Sequence, residues 1–254
     1  MDVVRNFKYL IFMQIIDAFW EKQNLGVSCI EIVIESKDSL KSFLEVKPII
    51  DSKEYVVVKA PVARVDIYEQ MAKLGFSYIE SSFHFILNVK DAVLSPLQQR
   101  MNKDVLYEEM NANDTEILYE ELKNGLFETD RIALDSKFTQ QQANVRYKNW
   151  ITTELAKQTQ LYKIVYKNNV IGFFTFKEII SGIYYPFLAG LYKDYKTSGL
   201  GFTTIRKPIE EVVRRNGKVI STYVSSNNLP IVRAHIQQGF ILQDIKNIFV
   251  KHNE

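Results

Sequence analysis

One cysteine, Cys29, stands in 254 residues, so an intrachain disulfide and a cysteine-built metal site are both excluded. It lies in the apolar run 27–34 and reads as a small core residue rather than a nucleophile. Histidine is almost as scarce. His84, His235 and His252 are too scattered for a zinc motif, and no metal is expected. An excess of either charge is missing too: Lys+Arg 32 against Asp+Glu 30 gives +2, with the signs interspersed. That leaves no clustered basic face for nucleic acid. No run reaches the roughly 18 apolar residues of a membrane span, so no membrane partner is expected. The opening, 1–22, is apolar like a secretory leader, but Asp2, Lys8, Gln14 and Asp17 interrupt it and no small-residue cleavage site follows. It reads as an N-terminal helix, and the expected compartment is the cytoplasm.

What is present is enough apolar residue, 46%, for one large core or two small ones. The pattern alternates helix and strand. Strands are expected at 26–35, 54–60 and 77–89, with helices at 38–47 and 62–75 between them. A polar connector follows at 91–102. Beyond it come a strand at 104–111, a helix capped by Asn113 or Asp114, and a helix at 141–157. Strands at 161–167 and 170–176 meet in a two-residue turn at Asn168-Asn169. A strand at 183–192, a helix at 199–215, a strand at 218–224, a helix at 228–239 and a last strand complete the chain. Pro208 should kink or interrupt the 199–215 helix.

Two stretches repeat. EYVVVKA…YEQMAKLGF, with Gly75-Phe76, parallels KVISTYV…VRAHIQQGF, with Gly239-Phe240, at an offset of 239 − 75 = 164. Both read strand, helix, Gly-Phe, strand. A duplicated half-fold explains this, and so does chance similarity of two short units. The N-terminal copy has no glycine pair before its first helix.

The strongest local signal is Lys196-Thr197-Ser198-Gly199-Leu200-Gly201, after a strand and opening a helix. Glycines there let the backbone turn tightly and approach a ligand, and the amides of a helix start favour an anion such as a pyrophosphate. The same pattern also serves simply to start a helix. The dinucleotide fingerprint fails at Thr204, and no P-loop sequence is present.

In its setting, the run 188–240 resembles the GNAT superfamily of N-acyltransferases. That family's phosphate loop reads [R/Q]xxGx[G/A]; Lys196 stands at its first position, and Gly199 and Gly201 match. Asn228, Gly239 and Phe240 match the family's later motif, with His235 where a Tyr is usual. The resemblance covers about 104–251. Upstream, Arg131, Asp135, Phe138, Arg146, Tyr147 and Trp150 resemble the segment before the central strands in TDP-fucosamine acetyltransferase-type nucleotide-amino-sugar N-acyltransferases, which also carry an N-terminal αβ domain. Tyr147 and Trp150, at helical spacing with Ile151 and Leu155, read as core.

The resemblance implies an α/β (α+β) fold: a mixed, mostly antiparallel sheet flanked by helices at 103–254, and an N-terminal αβ domain at 1–95 like a degenerate half-repeat. It implies an acyl-CoA cosubstrate, with pantetheine along Leu188, Gly190 and Leu191. The pyrophosphate would lie on Lys196, Thr197, Ser198, Gly199, Leu200, Gly201 and Phe202, and Asn228 also belongs to this site. The acceptor amine attacks directly in a ternary complex. A backbone N–H of Gly190 or Leu191 stabilises the oxyanion, His235 protonates the leaving thiolate and Glu178 is the candidate base. His235 and Glu178 read equally as a packed residue and a solvated carboxylate. Arg131, Arg146, Tyr184 and Tyr185 are candidates for the acceptor, although one of the two adjacent tyrosines must face the core. The acceptor implied is a TDP- or UDP-linked amino sugar for polysaccharide synthesis. A peptide, lysine or polyamine amine, or a non-catalytic acyl-CoA-binding module, are the alternatives, and a homodimer is compatible with all of them.

Overall fold

The computed structural model describes residues 12–253. The chain divides into two compact units: one holds the chain up to Ser82 together with Ile245–Glu254, and the other is Phe83–Asp244.

The first unit runs β1 (Gln14–Asp17), α1 (Trp20–Leu25), β2 (Cys29–Val33), α2 (Leu40–Glu45), α3 (Lys47–Asp51), β3 (Tyr55–Pro61), α4 (Val65–Lys73) and the first half of β4 (Ser77–Asn88). The helix expected over 1–22 is therefore corrected where it can be followed. Gln14–Asp17 pairs with β2 as a strand, and 1–11 lies outside the described residues. β2 and β3 run parallel, and β3 also pairs antiparallel with the end of β11 (Ile241–His252). Ile30, Ile32, Val56 and Val58 alternate onto one face and meet Phe43, Ile50, Ile67 and Met71 of the helices, a strand period closing on a helix period. Cys29 is buried there as a core residue.

The second unit continues with α5 (Pro96–Asn102), β5 (Val105–Glu109), α6 (Ala112–Lys123), α7 (Arg131–Leu134), α8 (Gln140–Ala156), β6 (Gln160–Tyr166), β7 (Asn169–Ile180), β8 (Ile183–Tyr185), β9 (Ala189–Leu191), α9 (Thr203–Arg214), β10 (Val219–Ser225) and α10 (Leu229–Gln237). Its strand order is β4-β10-β8-β7-β6-β5, with β9 on β7. β8 and β10 are parallel; β5–β6, β6–β7, β7–β8 and β7–β9 are antiparallel. Helices cover both faces. Adjacent Phe173 and Phe174 point opposite ways, Phe173 to Leu118, Leu122 and Ile151 of α6 and α8, Phe174 to the cluster holding Ile205, Ile209 and Val212 of α9. The mixed, mostly antiparallel sheet flanked by helices is as expected.

Local chemistry moves several boundaries. α6 is capped by Asn111, not Asn113 or Asp114, because Asn111 and Asp114 each accept the other's backbone N–H. The β6–β7 turn is Lys167-Asn168, whose φ values of 48° and 65° give the doubly left-handed turn that matches strand twist. Pro208 does not interrupt α9, which runs unbroken; Ile205, Ile209 and Val212 hold it through packing. The single strand expected at 183–192 is broken at Pro186, which has no N–H to donate.

The repeat holds in three dimensions. β3, α4 and β4 correspond to β10, α10 and β11 end for end at the same offset, 219 − 55 = 229 − 65 = 241 − 77 = 164. Gly75 and Gly239 both take positive φ, 83° and 93°, and the next residue's N–H bonds the carbonyl of Met71 and His235 respectively. Among the described residues, no helix is long and apolar enough to cross a membrane.

Candidate functional site

The site is built where β8 stops. β8 pairs with β10 only at Ile183–Val219 and Tyr184–Ile220; past Pro186 the chain turns onto β7 as β9, while β10 continues to Ser225. The Thr222 Oγ1 bond to the Pro186 carbonyl, 3.1 Å, marks the point of divergence. Two parallel strands therefore part, and β9 keeps a ladder on one side only.

The ladder's phase decides which amides are free to act. Thr175 N–H donates to Leu188 O and Tyr192 N–H to Ile171 O, both 2.8 Å. Bonded pairs alternate in an antiparallel ladder, so Gly190 faces Phe173 with its backbone groups, and Ala189 and Leu191 turn theirs away from β7. Of the two amides considered as oxyanion donors, Gly190's is spent on the β7 ladder and Leu191's points away from it. Leu188 is spent as well, its N–H donating to Thr175 Oγ1 at 2.9 Å.

The chain then passes a 3₁₀ turn, Lys193–Tyr195, into the loop before α9. Gly199 has φ +77°, a conformation that L side chains rarely adopt. Ser198 Oγ accepts the Leu200 N–H at 3.2 Å, whereas the N–H groups of Gly199, Gly201 and Phe202 have no acceptor among the described residues. A Cβ at Gly201 would meet nothing within 4 Å. Amides without an acceptor around open space at the start of a twelve-residue helix are suited to an anion. Behind it, buried Gln238 donates from Nε2 to Phe202 O at 2.9 Å, fixing the helix start. Lys196 reaches Leu126 O through Nζ, 3.2 Å. Asn228 caps α10, accepting the Ile231 N–H at 3.4 Å.

The first unit has the same strand–helix order without these features. β2 and β3 stay paired over five residues, Cys29–Tyr55 to Val33–Lys59, with no divergence. Its loop before α2 is acidic, and Asp38 accepts the N–H groups of Glu35 and Met13 at 2.7 and 2.9 Å. There a side-chain carboxylate already takes backbone N–H groups of the loop.

The proposed acid, His235, is buried. Nδ1 lies 2.8 Å from Ile231 O, and the ring stacks on Phe85 (5.4 Å, 18°) and meets Phe240 edge-on. Burial holds its pKa down at about 4, against the Ile231 hydrogen bond. At neutral pH the imidazole is uncharged and its one proton is committed to Ile231, so it has none to give a thiolate. Its counterpart in the repeat, Met71, is a core residue. A depressed histidine pKa adds stability above about 6.5 that is lost as pH falls towards 4, about 3 kcal/mol for this shift. We expect His235→Phe to flatten that part of the pH–stability curve in urea melts and to leave turnover within about threefold.

Glu178 is also displaced from the role expected of it. It is exposed, level with Tyr184, and accepts the Gly182 N–H at 2.6 Å in the β7–β8 turn. Leu191 is level with Gly172, six strand residues or roughly 20 Å away. That is too far for a direct base. Tyr184 stacks on Phe176 in the core at 5.0 Å, so it cannot meet an acceptor; Tyr185, on the other face, lies edge-on to Tyr223, and burial pushes its phenol pKa up. Arg131 is buried at the start of α7, and Arg146 of α8 pairs with Asp130 at 3.8 Å. Tyr147 is core, against Phe127 at 4.6 Å. Among the described residues, no cluster of His, Cys, Asp and Glu is arranged for a metal.

Two residues at this site escaped the sequence reading. Gly172 allows β9 its close approach: a Cβ there would lie 2.4 Å from Gly190 O and 3.0 Å from Leu191 Cα. The β6–β7 register slips beside it, between Ile164 and Val165. A lone glycine inside an apolar strand was the available signal. Gly172→Ala should push β9 outward, destabilise by about 2 kcal/mol in denaturant melts, and speed exchange of the Tyr192 amide. The second, Phe127, sits in the α6–α7 loop with nothing local to mark it.

No protein-family model and no curated protein matches the sequence. Solved structures do match the fold. A GCN5-related N-acetyltransferase from Sphaerobacter thermophilus superposes with TM-score 0.63 at 8% identity, covering 94% of this chain and 76% of that one. A conserved protein of unknown function from Staphylococcus epidermidis gives 0.61 at 12%, covering 88% and 85%. A tandem GNAT protein from the clavulanic acid biosynthesis pathway gives 0.56 at 10%, covering 88% and 75%. At these identities the likeness speaks for architecture: the diverging parallel strands, the glycine loop before α9 and the duplicated half belong to a chain with the GCN5-related N-acetyltransferase fold.

Proposed function

We propose that the chain is an acyl-CoA-dependent N-acyltransferase acting on the amine of a nucleotide-linked amino sugar, TDP- or UDP-, by direct attack in a ternary complex. The observation that carries the acyl-CoA part is the pairing of two unspent amide sets in one unit: Gly199, Gly201 and Phe202 for a pyrophosphate, Ala189 and Leu191 for a thioester carbonyl. In this reading the loop anchors the donor and β9 orients it. The Leu191 N–H, held rigid by the ladder behind it, stabilises the oxygen on which charge develops. A CoA thiolate leaves without a strong acid, because a free thiol's pKa is about 8.5. The neutral, committed His235 is compatible with that. The anionic acceptor rests on the sequence resemblance of 131–150, since Arg131 is buried and Arg146 is paired with Asp130.

The buried His235 also favours a second reading, a non-catalytic acyl-CoA-binding module. Release of free CoA, measured with acetyl-CoA and a panel of TDP- and UDP-amino sugars, lysine peptides and polyamines, separates them. Turnover with an amino sugar alone is expected. Turnover only with peptides or polyamines overturns the acceptor, and tight CoA binding without turnover on any amine establishes the module.

A further inference from the structure

We infer that the donor carries a short acyl chain, of two carbons or at most three, and that Phe127 sets the limit; this rests on the acyl-CoA reading above. The loop between α6 and α7 ties both banks of the strand divergence. Lys196, beyond β9, donates from Nζ to Leu126 O at 3.2 Å, and Ser225, at the end of β10, donates from Oγ to Thr129 O at 2.9 Å. From below, Gln140 Nε2 holds Phe127 O at 3.1 Å. Between those ties the Phe127 ring leans on Tyr147 at 4.6 Å and lies 6.2 Å from Phe173.

Phe127 faces Gly190. A methyl group placed on Gly190 would meet Phe127 Cε1 at 3.4 Å, Phe127 Cζ at 3.6 Å and Phe173 Cε1 at 3.7 Å. That methyl is a probe of the space: one carbon fits in contact with both rings, and a second carbon added towards Phe127 would overlap its ring. An acyl carbonyl held by the Leu191 amide puts its chain beside this niche. The absent side chain at Gly190 opens it, and Phe127 closes it. Rings packed on their own neighbours do not yield cheaply, because close-packed interiors resist added volume.

Calorimetry with free CoA and with acetyl-, butyryl- and hexanoyl-CoA tests this. Wild type should bind acetyl-CoA at least about tenfold more tightly than hexanoyl-CoA, the scale of added methylenes that a pocket cannot hold. Phe127→Ala should bring hexanoyl-CoA to within about threefold of acetyl-CoA, with free CoA affinity unchanged. Phe127→Leu, which keeps more of the packing, should fall between and serves if the alanine variant does not fold. Free CoA bound with equal affinity for all three thioesters in wild type overturns the inference alone, as does an unchanged chain-length profile in both variants. Failure of wild type to bind free CoA overturns the acyl-CoA reading itself.

Discussion

Gly201→Asp is expected to weaken CoA binding about 100-fold or more, close to 3 kcal/mol, while leaving the melting temperature within a degree or two. The fold should not notice the substitution. Gly201 does not need a left-handed backbone, and a Cβ there points into open space. The bound pyrophosphate should notice it strongly, because a carboxylate would stand against two negative charges at the amides of Gly199, Gly201 and Phe202. Gly199→Asp should lose binding as well, but its φ of +77° adds strain, so part of its loss is structural. Calorimetry of CoA with Gly201→Asp is therefore the cleaner measurement. Retained affinity in a folded variant would remove the anion assignment from this loop.

Glu211→Gln should cost about 2 kcal/mol at pH 7 and almost nothing near pH 2. Glu211 is fully buried on α9 and accepts from Arg214 and Arg215 at 2.6 and 2.7 Å, from Tyr162 at 2.9 Å and from Tyr107 at 3.1 Å. Burial alone would raise its pKa; those four partners override it and bring it to about 2. A carboxyl depressed from its ordinary range to about 2 contributes stability that is present above about pH 4.5 and is lost as pH falls through 2. The full shift corresponds to about 3 kcal/mol, and solvent around exposed Arg214 screens part of it. Urea melts of wild type and Glu211→Gln at pH 7, 4 and 2.5 should converge as pH falls. Parallel curves would show that the network is not linked to Glu211 ionisation. With the His235 contribution lost between 6.5 and 4, the stability of wild type should fall with acid in two steps.

The repeat, the glycine loop and the order of elements were legible because each rests on local physics. The alternation in Tyr55–Pro61 and Val219–Ser225, and the glycines 75 and 239 that end their helices, write the same strand–helix–strand unit twice. Gly199 and Gly201 announce a tight turn at a helix start wherever they fall. The break at Pro186 was missed in a stretch read as one strand, although a proline without an N–H has no place inside a ladder.

What tertiary structure decided is which groups are already spent. Leu191 and Gly190 are adjacent and equivalent in sequence; only the ladder's phase against β7 turns one amide outward and the other inward. His235 occupies the helix position at which the resemblance implied an acid, but burial against Phe85 keeps it neutral, and its ring N–H is held by Ile231 O. Glu178 is thirteen residues from Leu191 along the chain and, by strand register, roughly 20 Å away in space. Phe127 reaches Gly190 because two hydrogen bonds from distant elements, Lys196 and Ser225, hold its loop there. Local propensity chooses the elements. Protonation, donor availability and the depth of a niche depend on neighbours that are far apart in sequence, and only the folded chain brings those together.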